Sequence, residues 1–214
     1  MQETCTAFNN PITDILISSV QEIPALMQSV VSLRPVLVLD LDETLVYSSP
    51  LKMNSDSIPI RVGRRRVFVQ FRPGLFDFLQ AISQIYEIFF FTASAEAYAN
   101  QIIDRILPET PVNHRFFRQS CRCFHGYPVK DLNLINRPLN KVLIVDDLEG
   151  SALLHLNNLV RISPWIGDPN DQVLINQLLP ALQSSAFESD IPKAFQKMAE
   201  RNMFTDLSSP KLVM

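Results

Sequence analysis

The chain has 214 residues, 47% of them hydrophobic, with a formal net charge of −3 and a pI near 5.6. That is enough apolar material for one domain with a full core plus extensions, and the charge balance gives no global argument for nucleic acid or a membrane surface. Three cysteines, Cys5, Cys121 and Cys123, are too few for a disulfide framework, and no apolar run approaches the roughly 20 residues a membrane helix needs. The N-terminus has neither a basic nor an apolar leader region, so a reducing compartment, cytoplasm or nucleus, is expected.

Residues 1–34 carry apolar positions at helical spacing in two groups separated by Pro24, and are read as an N-terminal helical extension packed outside the core. The run Val36-Leu37-Val38-Leu39 then leads into Asp40, Leu41, Asp42, Glu43 and Thr44. An uninterrupted apolar run suits a strand buried on both faces of a parallel sheet. Residues 48–59 read as a loop rich in Ser, Pro, Asn and Asp. Ile58, Ile60 and Val62 alternate with Pro59 and Arg61, and Val67, Val69 and Phe71 with Phe68 and Gln70, so a β-hairpin turning near Gly63–Arg65 is expected as an insertion.

Pro73-Gly74 opens a helix with Leu75, Phe76, Leu79, Ile82 and Ile85 facing inward. Ile88–Phe91 is a second buried strand ending at Thr92-Ala93-Ser94, and a helix follows through Tyr98, Ile102 and Ile106 to Pro108. Phe116–Phe124 is read as a third strand region, Val142–Val145 as a fourth strand ending at Asp146-Asp147, Leu159–Ile162 as a fifth, and 171–183 as a closing helix. The alternation predicts a doubly wound α/β fold over residues 35–183, with a small β-hairpin insertion and no large cap domain. Residues 184–214 form a tail, helical around Ile191, Phe195 and Met198 and partly disordered towards its end.

The strand ends carry the chemistry. Asp40 and Asp42, Thr92 and Ser94, and Asp146 and Asp147 would meet on one edge of a parallel sheet, joined by Lys130 from a nearby loop. Oxygen-only donors suit Mg²⁺, which takes one or two carboxylates and fills its octahedron with water and substrate oxygens. With the repulsion of a phosphate dianion so relieved, Asp40 can attack phosphorus while Asp42 protonates the leaving alkoxide and later activates water. Thr92 and Lys130 can hydrogen-bond the phosphoryl oxygens.

These motifs, Asp-Leu-Asp-Glu-Thr-Leu-Val, Phe-Thr-Ala-Ser, Val-Lys-Asp-Leu and Ile-Val-Asp-Asp in order, resemble those of the haloacid dehalogenase superfamily. More closely, the chain is similar to the small C-terminal-domain phosphatases and their TFIIF-associating, Dullard-like and NLI-interacting-factor-like relatives. The resemblance implies a HAD-like Rossmannoid sheet. It implies that Asp40 is the nucleophile, Asp42 the acid/base with its carbonyl on the metal, and Asp146 the completing Mg²⁺ ligand. It implies phosphate binding by Thr92, Lys130 and Arg118, and an apolar substrate pocket on the hairpin at Ile60, Val62 and Val67. The implied substrate is phosphoserine or phosphothreonine in a protein or peptide, such as the RNA polymerase II tail.

Thr44, Ser94 and Asp147 remain further candidates; the last stands where the small phosphatases usually carry Asn. No direct nucleic-acid partner is expected, and a monomer is. The Arg64-Arg65-Arg66 turn is either a solvated tip or a guide for an acidic or phosphorylated peptide. Cys121, Cys123 and His125 alternate as if on one strand face but lack a fourth ligand, so they read as ordinary strand and loop residues rather than a metal site. Two rival functions stand beside the first: a phosphatase for small molecules or nucleic-acid ends, and a catalytically silent binding module of the same shape.

Overall fold

The apolar runs become neighbouring strands in the computed structural model, which describes residues 34–200. In chain order the strands are β1 (Val36–Leu39), β2 (Val46–Ser49), β3 (Ile58–Val62), β4 (Arg65–Phe71), β5 (Glu87–Phe91), β6 (Arg115–Phe116), β7 (Arg122–Phe124), β8 (Tyr127–Val129), β9 (Val142–Asp146) and β10 (Leu159–Arg161). The α-helices are α1 (Leu75–Ile82), α2 (Glu96–Ile106), α3 (Leu179–Ser185) and α4 (Ile191–Glu200). The helices expected before residue 34, and the end of the tail beyond residue 200, lie outside the described residues.

The central sheet has five parallel strands in the order β10-β9-β1-β5-β6. Val38 at its centre lies opposite Phe89 on one side and Ile144 on the other. From β1 the chain moves outward to β5 and β6, then returns past β1 to β9 and β10. The reversal puts a crevice between β1 and β9 at their carboxyl ends, where open α/β sheets seat their ligands.

Alternate residues of each strand feed two separate cores. Leu37, Leu39, Phe90, Leu143 and Val145 pack under residues from all four α-helices. Val36, Val38, Phe89, Phe91 and Ile144 pack under Leu132, Ile135 and Ala152. On this second face the cover includes 3₁₀ turns at Leu132–Ile135, Leu139–Lys141 and Glu149–Ala152. Asn133, Asn136, Pro138 and Asn140 explain why no long helix forms there, since these residues favour turns over helix interiors.

Several local expectations need correction. Ser48 and Ser49, expected in a loop, complete a strand that starts at Val46, so the insertion is a three-stranded antiparallel sheet in the order β2-β4-β3. Phe116–Phe124 is not one strand: β6 is followed by a 3₁₀ turn at Arg118–Ser120, and β7 then pairs with β8. The β7–β8 turn has positive φ at both His125 and Gly126, the signature of a tight two-residue hairpin. Cys121 therefore precedes the strand and His125 sits in the turn, so the alternating trio does not share a face.

On α1, Leu75, Leu79 and Ile82 face inward as expected, but Phe78 takes the buried place expected of Phe76, which is half exposed. The closing helix forms as expected, but it carries a wide π turn at Leu174–Leu178 that runs directly into α3. Pro180, lacking an N–H, cannot donate back to the preceding turn, which accounts for the wide turn there. Gly74 takes φ 76°, and a Cβ there would lie 2.5 Å from Ile175 Cγ1, so α1 can start this close to the π turn only through glycine. The amphipathic stripe of the tail docks as expected, with Ile191 and Phe195 buried. No helix among the described residues is long and apolar enough to cross a membrane.

Candidate active site

The crevice is lined by residues that leave the ends of β1, β5 and β9. Asp40 directly follows β1, and its N–H continues the parallel ladder to the Val145 carbonyl at 3.1 Å. Beyond it the chain doubles back at once: Leu45 and Val46 N–H groups both donate to the Leu41 carbonyl, and Glu43 adopts a left-handed φ of 60°. Two outside groups hold this strained loop. Trp165 N–H donates to the Glu43 carbonyl at 2.6 Å, and Arg72 Nη1 donates to the Thr44 carbonyl at 3.0 Å. Arg72 is itself 1% exposed and grips Asp171 through Nε and Nη2, both at 2.9 Å.

Asp40 and Asp146 face each other across Lys130. The Lys130 ammonium donates to Asp40 Oδ1 and Asp146 Oδ2, each at 2.6 Å, and all three residues are buried. The Leu148 N–H donates to the other oxygen of Asp146 at 2.9 Å, turning that carboxylate inward. Asp147 is buried beside them, and carboxylate oxygens of Asp40, Asp146 and Asp147 lie within 4.8 Å of one another. Thr44 Oγ1 donates to Asp147 Oδ1 at 3.3 Å, a long contact.

Burial pushes the Asp40 carboxyl up to about 7; the Lys130 ammonium opposes that shift and Asp146 adds to it. Asp147 rises to about 6, first through burial and then through Asp146. Burial lowers Lys130, but Asp40 and Asp146 outweigh it, so its pKa is raised and it stays an ammonium. Lys130 thus meets two of three clustered buried carboxylates, Asp40 and Asp146, and the site's donors are all oxygens. That set fits a hard divalent cation such as Mg²⁺.

Asp42 is treated differently. Its carboxylate meets the turn after β5 and α2: Ser94 Oγ donates to Oδ2 at 2.5 Å and the Tyr98 hydroxyl to Oδ1 at 2.6 Å. Burial, and then Asp42 itself, raises the pKa of Tyr98, so its proton stays on the phenol to be donated. Thr92 is fully buried two residues past Phe90, the neighbour of Leu39, and its Oγ1 accepts the Ser94 N–H at 3.0 Å. Arg118 is exposed and tied twice to the same turn: its N–H donates to the Ser94 carbonyl and its Nε to the Ala93 carbonyl at 2.7 Å.

The expected residues therefore gather at one rim: Asp40, Asp146, Asp147 and Lys130 in the crevice, Asp42 and Ser94 beside it, and Thr92 and Arg118 at the end of β5. The hairpin residues stand apart. Ile60 is 1% exposed and belongs to the core, with Val62 and Val67 packed partly against it. Ile60 thus supports the insertion from beneath rather than lining a surface. Three contributors were not assigned from the sequence: Tyr98 on Asp42, the Arg72–Asp171 clamp, and Trp165 on the Glu43 carbonyl. Tyr98 falls on the inward face of an amphipathic helix, so periodicity marks it as core; only its hydroxyl partner reveals the second role.

The family described as NLI interacting factor-like phosphatase matches residues 35–192. "CTD small phosphatase-like protein 2" of Dictyostelium discoideum is 38% identical over 159 residues, which is 72% of this chain and 28% of that protein. "CTD nuclear envelope phosphatase 1" of Xenopus tropicalis is 37% identical over 176 residues, 74% of this chain and 70% of that protein. The human "CTD small phosphatase-like protein" is 34% identical over 169 residues, 77% and 61% of the two chains. A solved structure of Fcp1, an essential RNA polymerase II CTD phosphatase, superposes with a TM-score of 0.52 at 24% identity, over 83% of this chain and 55% of that one. The HAD-like α/β architecture is common to both.

Proposed function

The chain belongs to the NLI interacting factor-like phosphatase family, and from that membership we propose that it removes phosphate from phosphoserine or phosphothreonine in a protein, with Mg²⁺ and through an aspartyl phosphate. The observation that carries this reading is the unequal treatment of two aspartates two residues apart. Asp40 is pinned by Lys130 against Asp146, and Asp42 is held by Ser94 and Tyr98. Two carboxylates with separate partners suit a nucleophile and a proton carrier.

In the first half-reaction an Asp40 oxygen bonds to phosphorus as the bond to the serine oxygen breaks. Asp42, protonated, gives its proton to the departing alkoxide. In the second half, Asp42 takes a proton from water, the water oxygen bonds to phosphorus, and the Asp40–phosphorus bond breaks to release inorganic phosphate. Lys130, Thr92 and Arg118 bind the phosphoryl oxygens as their charge spreads. Asp40 and Asp146, with the Asp42 carbonyl or the Asp147 carboxylate, would hold Mg²⁺, which supplies charge neutralisation for the incoming phosphate.

A protein substrate is favoured over a small one because the insertion is a three-stranded sheet of only 26 residues, Val46 to Phe71, and leaves no large cap over the crevice among the described residues. No step needs a second copy, so a monomer suffices, acting in the cytoplasm or nucleus. Release of phosphate from a phosphoserine peptide tests the reading. Wild-type turnover should vanish with chelator and return with Mg²⁺, and Asp40→Asn should lower kcat on the order of 10⁴-fold or more with an unchanged circular dichroism spectrum. A folded Asp40→Asn protein that keeps wild-type turnover would refute the mechanism.

A further inference from the structure

The hairpin of β3 and β4 ends in a cluster of arginines that the reaction does not use. Arg61 lies directly opposite Arg66 across the antiparallel pair, Val62 lies opposite Arg65, and Arg64 occupies the turn beside Gly63. All four arginines are exposed. None of their side chains has a hydrogen bond or an acidic partner among the described residues, whereas Arg72, Arg115, Arg122, Arg137 and Arg161 all reach a carboxylate. Like charges directly across a ladder destabilise a hairpin. This tip therefore concentrates a repulsion that no described residue compensates.

Its place relative to the crevice is fixed. Gln101 on α2 donates to the Arg61 carbonyl at 2.8 Å, one helical turn from the Tyr98 that holds Asp42. The Tyr98 hydroxyl also meets Ser48 of β2, and Ser48 pairs with Val69. From Val69 to Arg66 is three residues along β4, about 10 Å at strand spacing. An extended peptide covers that span in about three residues.

We propose that the arginine tip is a docking site for an anionic residue of the substrate, an acidic side chain or a second phosphate, lying about three to five residues from the phosphoserine being hydrolysed. This rests on the phosphatase reading above and adds a substrate preference to it. A short peptide fits better than a membrane or a nucleic acid. The cluster is four residues on one tight turn, tied through α2 to the site, on a chain whose net charge is −3.

The test uses the full chain, wild type and the double variant Arg64→Glu/Arg65→Glu, on three peptides that share one phosphoserine. One has neutral flanks, one carries glutamates at the third to fifth flanking positions on either side, and one carries a second phosphoserine there. Turnover is measured alongside binding by fluorescence anisotropy, and p-nitrophenyl phosphate serves as the small substrate.

The wild type should prefer an anionic peptide over the neutral one by roughly tenfold in kcat/KM at low salt, less at high salt. The variant should lose that preference while hydrolysing p-nitrophenyl phosphate and the neutral peptide as before. The glutamate and doubly phosphorylated arms tell which anion is read. A variant that keeps the preference, or a wild type with none at any position, would overturn the proposal. So would a variant that loses binding to phosphatidylserine vesicles or single-stranded RNA with its peptide preference intact. If the wild type hydrolyses nothing, the phosphatase reading fails by itself. Anisotropy then still decides the docking site, by whether the wild type binds the anionic peptide more tightly than the variant does.

Discussion

Two regions of this molecule crowd like charges together, and they do so in opposite ways. In the crevice, Asp40, Asp146 and Asp147 are buried within reach of one another, and the fold supplies Lys130, the Leu148 N–H and Thr44 to meet them. At the hairpin tip, Arg61, Arg64, Arg65 and Arg66 are exposed, and no acidic side chain among the described residues meets them. Burial explains the contrast. An unmet charge inside the domain costs several kcal/mol, whereas water screens the same repulsion at a turn to a few tenths. A chain can therefore carry an uncompensated cluster only on its surface, and there it is available to a partner.

The comparison breaks first at Lys130. Replacing Lys130 with Met strands two buried carboxylates, so unfolding by urea in the presence of chelator should show a loss of about 3–5 kcal/mol. A loss below about 1 kcal/mol would mean that water already reaches the crevice and that burial is not what sets it apart.

Tyr98 offers a finer probe. Tyr98→Phe keeps the helix packing and removes one of the two donors to Asp42. A hydrogen bond to a charged group contributes about 1.5–3 kcal/mol, so kcat should fall roughly ten- to a hundredfold with little change in KM. A rise in KM at constant kcat would assign Tyr98 to substrate binding instead. The smallest effect belongs to the tip. Arg66→Thr removes the cross-strand repulsion with Arg61 and should raise the melting temperature by about 1–2 °C. A fall of that size would reveal a partner for Arg66 within the chain.

The positions of the acidic strand ends were legible in the sequence because runs such as Val36–Leu39 and Val142–Val145 are apolar without a break and stop at aspartate. A strand buried on both faces leaves that trace and little else does. β2 was not legible: Val46-Tyr47-Ser48-Ser49 ends in residues that also favour loops, and only its pairing with β4 decides the matter. The strand expected over Phe116–Phe124 has the right composition, yet only Arg115–Phe116 reaches the sheet edge, after which Arg118–Ser120 turns back onto the Ser94 carbonyl.

Within the site, residue types at strand ends could be read, but not their partners. Lys130 could be placed near the crevice by its position between the second and fourth strands. That it bridges Asp40 and Asp146 depends on a loop whose Lys130 N–H is fixed by the Ser151 carbonyl, a long-range fact with no local signature. The same holds for Arg72, whose clamp partner Asp171 lies 99 residues away. The arginine tip was visible as a run of three; the fourth member, Arg61, joins only through register.

Intact-protein mass spectrometry separates the roles of Asp40 and Asp42. Asp42→Asn is incubated with p-nitrophenyl phosphate and Mg²⁺, whose good leaving group needs little help from an acid. A single covalently bound phosphoryl group should accumulate because water is no longer activated, be absent from the Asp40→Asn/Asp42→Asn double variant, and map to Asp40. No adduct on a folded Asp42→Asn protein that still turns over substrate, or an adduct on any other residue, would contradict that division of roles.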